Sequence, residues 1–174
     1  MGTLMAGEDK TLKALQLDSL DLARTPALLK QLEVSEVLSE LDGGEIGSLA
    51  TCLKAYTLPA RTVLFREGDP ASYMGMVLNG RLVVTKRNDD DAGKPLYAMT
   101  EGKVFGEMAM LDGEPRSATV MAAVDSTIAV LSREEFERLC RERPIIGLKL
   151  MRRLGRLLSQ RLRRASGLLV DYLP

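Results

Sequence analysis

Histidine and tryptophan are both missing from the 174 residues. Without histidine there is no Ser-His-Asp or Cys-His nucleophile, and nearly every zinc or iron enzyme site is excluded. Metal sites made only of carboxylates survive that test, but no acids cluster at suitable spacing. The densest acidic run, "NDDDAG" from Asn88 to Gly93, lies between two strand-like segments. It lacks the remaining ligands of a calcium loop and reads as a solvated hairpin turn. Catalysis is therefore not expected, and neither is a bound metal. Aromatic residues make up only 4%, which leaves an aliphatic core with the nine methionines as filler. The two cysteines, Cys52 and Cys140, lie far apart without metal-ligand spacing and read as reduced thiols of the cytosol. No apolar run reaches the roughly 18 residues that span a membrane. The N-terminus, "MGTLMAGEDKTLK", places an acidic pair before any apolar stretch, unlike a secretory signal. A cytoplasmic location is expected.

Hydrophobic content of 45% and charged content of 28% describe an ordinary globular chain that can bury a core. This length suits one domain, or one domain with helical extensions. The formal charge sums to zero but is unevenly placed. Residues 1–45 hold nine acids against four bases, whereas residues 144–164 hold seven bases and no acid. Arginines on one face of an amphipathic C-terminal segment suit docking against an acidic surface, this chain's own N-terminal segment included.

Three parts follow one another. Residues from about 10 to 55 have helical periodicity: "LLKQLEVSEVLSEL", then Gly43-Gly44 as a breaker, then "EIGSLATCLKAY". Pro26 suits a first helical position. From Thr57 to Leu131 short runs of β-formers alternate with turn signals, one of them at Glu67-Gly68-Asp69-Pro70. Asn79-Gly80 between apolar runs predicts a hairpin. Such close spacing indicates an antiparallel barrel or jelly roll. From Ser132 the helical period returns. Ser132 and Glu135 form a capping-box pattern. Pro144 then opens a long helix with Ile146, Leu150, Leu154, Leu157, Leu158 and Leu162 in one stripe.

Chemistry concentrates in "FGEMAMLDGEPRSATV", Phe105 to Val120. "EMAML" has helix-forming composition and is bounded by Gly106 and by Asp112-Gly113. The free N–H groups of a helix start attract an anion. Gly106 and the small Ala109 permit close approach. Arg116, after Pro115, supplies a planar fork for phosphate oxygens, and Ser117 and the Ala118 N–H add donors. A carboxylate repels phosphate, so Glu107 makes sense only if the ligand also presents a hydroxyl. A ribose esterified to its own phosphate has both groups, which points to a nucleoside cyclic monophosphate.

This stretch resembles the phosphate-binding cassette of the cyclic-nucleotide-binding domain family, found in protein kinase A regulatory subunits, cyclic-nucleotide-gated channels and the bacterial catabolite activator protein. The matching residues are Gly106, Glu107, Met108 and Ala109, then Arg116, Ser117 and Ala118. "FREGDPA" and "MVLNGRLVV" match upstream, and the resemblance runs from about Val34 to Leu169. It implies an α+β fold: an antiparallel β-roll, like a jelly-roll barrel, flanked by N-terminal helices and two C-terminal helices. Residues 1–33 would form a helical extension and 34–174 the binding domain, with the roll over about 57–131 and the closing helices over about 132–172. It also implies that Glu107 accepts the ribose 2′-hydroxyl and Arg116 binds the exocyclic phosphate oxygens. Amides around Gly106, Met108, Ala109, Ser117 and Ala118 would surround the phosphate. Val84, Leu96, Val104 and Thr119 would wall sugar and base, and Phe105 is a further ligand-binding candidate. Arg156, Leu157, Leu158 and Arg161 of the last helix would form a lid.

The expected ligand is cAMP. Ser117 suits either a phosphate oxygen or a guanine amino group, so cGMP stays open, as does a cyclic dinucleotide. The sequence stops at Pro174 with no helix-turn-helix after the long helix, so DNA binding is not expected. The output would be a separate effector protein, and the last helix offers a homodimer seam. The rival reading is a ligand-free interaction scaffold with the same fold.

Overall fold

The computed structural model describes residues 12, 15, 17, 19–87 and 93–170. The acidic turn read at Asn88–Gly93 lies outside the described residues, apart from the backbone of Gly93.

Nine strands form two sheets among the described residues. One has five strands in the order β1-β2-β9-β4-β7, and the other has four in the order β3-β8-β5-β6. The strands are β1 Ser19–Asp21, β2 Lys54–Leu58, β3 Val63–Phe65, β4 Tyr73–Asn79, β5 Leu82–Arg87, β6 Gly93–Met99, β7 Val104–Phe105, β8 Thr119–Ala122 and β9 Ser126–Ser132. All pairings are antiparallel. The sheets face each other as a β-roll without closing into a barrel. Among the described residues five α-helices flank them: α1 Pro26–Leu32, α2 Gly43–Ala50, α3 Glu107–Asp112, α4 Arg133–Glu142 and α5 Pro144–Val170.

Strand β4 explains why there are two cores. It is buried on both faces, and its residues alternate between them. Tyr73 and Val77 join Leu58, Leu64, Phe65, Leu82 and Ile128 between the sheets. Met74, Met76 and Leu78 point outward and meet Leu32, Leu49, Leu139, Leu150 and Leu154 from the helices. In β9, Ile128 and Val130 serve the inner core while Ala129 and Leu131 serve the outer. Ile146, Leu150, Leu154 and Leu157 of α5 thus cover the back of the five-stranded sheet, whereas Leu158 and Leu162 of the expected stripe lie outside this core.

Three local expectations change. The Asn79-Gly80 turn does not close a hairpin, because both pairing edges of β4 are already taken, by β9 and β7. The chain instead crosses to the other sheet, and β5 pairs with β6 and β8. Gly80 turns this corner at φ 93°, where a Cβ would lie 2.4 Å from Ser126 Oγ. Gly43-Gly44 is not a breaker: it opens α2, whose cap is reciprocal between Asp42 and Glu45. The N-terminal part also is not uniformly helical, since Ser19–Asp21 pairs with β2 as an edge strand. Pro26 and Pro144 do begin helices, and Ser132 caps α4 by accepting from the Glu135 N–H.

The charge imbalance has a structural counterpart. Glu36 lies in a 3-10 turn, Glu36–Leu38, and with Glu40 and Glu45 it faces α5. Lys149 Nζ meets Glu45 at 2.7 Å, Arg152 and Arg156 both pair with Glu40, and Arg153 Nε donates to the Glu36 carbonyl at 2.7 Å. Acids of the N-terminal part and bases of α5 are therefore partners within one chain.

Candidate ligand-binding site

Arg116 is set in place by the turn that follows β3. The Gly68 N–H donates to the Arg116 carbonyl at 2.8 Å, and the Arg116 N–H donates to the Asp69 carbonyl at 2.9 Å. Asp69 steadies that turn by accepting from the Arg66 N–H through Oδ2 at 2.7 Å. The arginine side chain then runs into the roll, only 3% exposed. Its guanidinium carbon lies 4.0 Å from the Phe65 ring centroid and 4.3 Å from that of Tyr73, a cation–π arrangement on two rings.

Strand β7 delivers the other pole. It pairs with β4 at Gly75 and Met76, and the chain then reverses at Gly106. Gly106 has φ 69°, and a Cβ there would lie 2.4 Å from Arg116 Nη1. Glycine is required both by the backbone and by the space that Arg116 occupies. Helix α3 starts immediately afterwards, anchored by buried Ala109 and Met110 and stopped by Gly113 in the left-handed region. Its first residue, Glu107, is 3% exposed.

Glu107 and Arg116 face one cavity of about 600 Å³, within the usual range for a small-molecule pocket. Val84 and Tyr97 wall it from the four-stranded sheet, Ser117 and Ala118 from the cassette, and Leu158, Ser159, Arg161, Leu162 and Ala165 from α5. Arg161 crosses the opening: Nη1 pairs with Glu107 Oε1, and Nη2 donates to the Val104 carbonyl at 3.2 Å. Burial pushes the Glu107 carboxyl above its ordinary value, opposed by the attraction of Arg161. Burial likewise raises the Tyr97 hydroxyl.

Of the residues expected at the site, Val84, Phe105, Gly106, Glu107, Met108, Ala109, Arg116, Ser117, Ala118, Leu158 and Arg161 line this cavity. Five others do not. Leu96 is exposed, and its neighbour Tyr97, opposite Val84 in the β5–β6 register, takes the wall position. Val104 packs its side chain into the outer core and offers only its carbonyl to Arg161. Thr119 accepts from the Glu67 N–H through Oγ1 at 3.0 Å. Leu157 is buried in the outer core, and Arg156 pairs with Glu40. Sequence reasoning missed Phe65 and Tyr73 beneath the guanidinium, Tyr97 on the wall, and Leu162 and Ala165 on the α5 side of the cavity. A signal for the last two existed: 158, 162 and 165 recur at helical spacing one step round from the core stripe.

The model of the cyclic nucleotide-binding domain family matches residues 56–143. The chain is 38% identical over 98 residues to a cyclic nucleotide-gated potassium channel of Mesorhizobium japonicum, covering 56% of this chain and 26% of the channel. It is 33% identical over 108 residues to a cAMP-dependent protein kinase regulatory subunit of Aspergillus niger, covering 62% of this chain and 26% of that protein. The match thus spans about a quarter of either relative. A crystal structure of a cyclic nucleotide-binding domain from Methylobacillus flagellatus superposes with a TM-score of 0.81 at 26% identity, covering 97% of this chain and 98% of that one. With its glycine-to-arginine loop, two-sheet roll and long C-terminal helix in place, the chain belongs to the cyclic nucleotide-binding domain family.

Proposed function

We propose that this chain is a receptor for a cyclic mononucleotide, cAMP before others, and that it signals through movement of α5. The observation that carries the reading is the shared cavity: a buried cation, Arg116, and a buried carboxylate, Glu107, face one space that α5 also lines. The cyclic phosphate belongs at Arg116, beside Gly106 and the cassette Met108, Ala109, Ser117 and Ala118. The ribose 2′-hydroxyl belongs at Glu107. The base extends between Val84 and Tyr97 on the roll and Leu158 and Leu162 on the helix. A cAMP-dependent kinase regulatory subunit among the relatives supports adenine. The exposed Ser117 hydroxyl, lining the same cavity, supports cGMP as the second reading.

On this reading binding draws Leu162, 69% exposed, over the base and shifts a population of helix positions. The chain performs no catalytic step itself. Its output passes to an effector protein in the cytoplasm, without DNA contact. A homodimer along α5 is part of the proposal. Leu148, Met151, Gly155, Leu158, Leu162 and Ala165 recur at three- and four-residue spacing on a side of α5 where Leu148, Met151 and Leu162 are exposed. Among the described residues no helix is long and apolar enough to cross a membrane.

Isothermal titration with cAMP and cGMP tests the receptor. Saturable heat with one of them, abolished in Arg116→Ala, supports it. No heat and no melting shift with either leaves a ligand-free scaffold. Sedimentation of the chain with and without ligand tests the dimer, and a monomer under both conditions removes that part.

A further inference from the structure

We propose that Arg161 is a specificity-determining positioning residue: by holding Glu107 as a carboxylate in the closed site, it makes the pocket demand a hydroxyl donor on the ligand. The inference rests on the receptor reading above and adds a residue to it.

Glu107 is poorly placed to stay charged unaided. It is almost fully buried, and burial is the largest influence on its carboxyl, raising it. The groups facing it come from four elements: Arg161 from α5, Arg116 from the cassette, Glu36 from the N-terminal 3-10 turn and Tyr97 from β6. Glu36 pushes the carboxyl further up, and a bound phosphate would add a second anion in the same cavity. Arg116 pulls it down, but it is the weakest of these influences on Glu107 and is the cation expected to face the phosphate. Arg161 is the strongest opposing influence and the one in direct contact, through Nη1 on Glu107 Oε1.

The guanidinium is fixed at more than one point. Nη2 donates to the Val104 carbonyl at 3.2 Å and lies 3.8 Å from Glu36 Oε1. Such a fork orients the carboxylate as well as charging it. A carboxylate only accepts hydrogen bonds, whereas a protonated carboxyl also donates. A hydrogen bond to a charged acceptor is about twice as strong as a neutral one. Held ionised, Glu107 strongly favours a ligand with a 2′-hydroxyl over one with hydrogen there. Left to burial and a nearby phosphate, it takes a proton and much of that preference is lost. Because Arg161 sits on α5, ribose reading becomes conditional on the helix being in place.

The test compares cAMP with 2′-deoxy-cAMP by titration calorimetry from pH 6 to 8.5 on the unmodified chain, Arg161→Gln, Arg161→Lys and Arg156→Gln. The unmodified chain should prefer cAMP by about tenfold or more, as expected of one hydrogen bond to a charged group, with a flat pH profile. Arg161→Gln should reduce the preference to below about threefold on the weaker neutral bond. Its affinity for cAMP should also fall as pH rises, because the carboxyl that accommodates the phosphate is now protonated and must ionise. Arg161→Lys should restore the flat profile. Arg156→Gln, which removes a cation of the same helix that pairs with Glu40, should behave as the unmodified chain. An unchanged preference and flat profile in Arg161→Gln overturn the inference while leaving the receptor intact. No cAMP binding by the unmodified chain overturns the inference together with the receptor reading.

Discussion

Arg116 Nη1 donates to the carbonyl oxygen of Tyr73 at 2.8 Å, and the guanidinium carbon sits 4.3 Å from the ring centroid of that same residue. One β-strand residue therefore grips the arginine by both its backbone and its side chain. Phe65 supplies a second ring face at 4.0 Å. The positive pole of the cavity is built into the core between the sheets, in place before any ligand arrives. Such preorganisation favours affinity, because little ordering remains to be done on binding.

Replacing Arg116 by alanine should therefore have two effects. cAMP binding should weaken by about 2–5 kcal/mol, the usual loss when one partner of a buried charge pair is truncated. The fold should also lose stability, because two cation–π contacts of about 0.5–2 kcal/mol each go with the side chain. Calorimetry and thermal melting measured together separate the two. Affinity held within twofold would place the phosphate elsewhere.

Gly106 and Gly155 make a matched pair of substitutions. Gly106→Ala puts a Cβ 2.4 Å from Arg116 Nη1 at a φ of 69°, so the arginine must move. A stability loss of about 1–2 kcal/mol is expected from the backbone alone, with loss of ligand binding. Gly155 lies within α5, with nothing within 4 Å of its Cβ position. Gly155→Ala should raise stability by about 0.5–1 kcal/mol. Melting curves of both variants check the contrast, and equal destabilisation would contradict it.

Much of the site was legible because the cassette is local: Gly106, Glu107, Arg116 and Ala118 lie within a thirteen-residue stretch, and their residue types state their chemistry. What lay outside the sequence signal came from distant strands. Phe65 and Tyr73 meet Arg116 only through the two-sheet topology, and nothing in their own neighbourhoods marks them. Tyr97 rather than Leu96 lines the cavity because the β5–β6 register sets it opposite Val84, a pairing that the local sequence of β6 does not reveal. The Asn79-Gly80 turn carried the right local chemistry, but the competition for β4's edges is a property of the whole roll. The charge asymmetry pointed to docking between the N-terminal part and the last helix, though not to which acid meets which base.

The contacts between those two parts give a salt-dependent prediction. Both carboxylate oxygens of Glu40 are engaged, one by Arg152 and one by Arg156, and both arginines are more than half exposed. Glu40→Gln should lower the melting temperature at low ionic strength. At 1 M salt the screening length falls to about 3 Å, so the difference should nearly vanish. A deficit that persists at 1 M would mean that the side chain acts by packing rather than by charge.

The buried carboxylate has an opposite pH signature from the exposed ones. Burial raises Glu107 above its ordinary 4.5, so the folded state binds its proton more tightly than the unfolded chain does. Below that ordinary value both states are protonated and the folded state's preference for the neutral form is fully expressed. As pH rises through the raised folded value, the folded state must carry a buried charge that the unfolded chain solvates, and that contribution is lost. Glu40 and Glu45 run the other way. Hydrogen bonds from Arg152 and Lys149 respectively hold them below 4.5, so their contribution is present above that value and is lost as pH falls through the lowered ones. Both remain in Glu107→Gln, so they cancel when it is compared with the unmodified chain. Melting temperatures of the two proteins across pH 4–8 should therefore show the unmodified chain losing ground to Glu107→Gln as pH rises. A difference that moves in its favour instead would mean that the pull of Arg161 outweighs burial at this carboxylate.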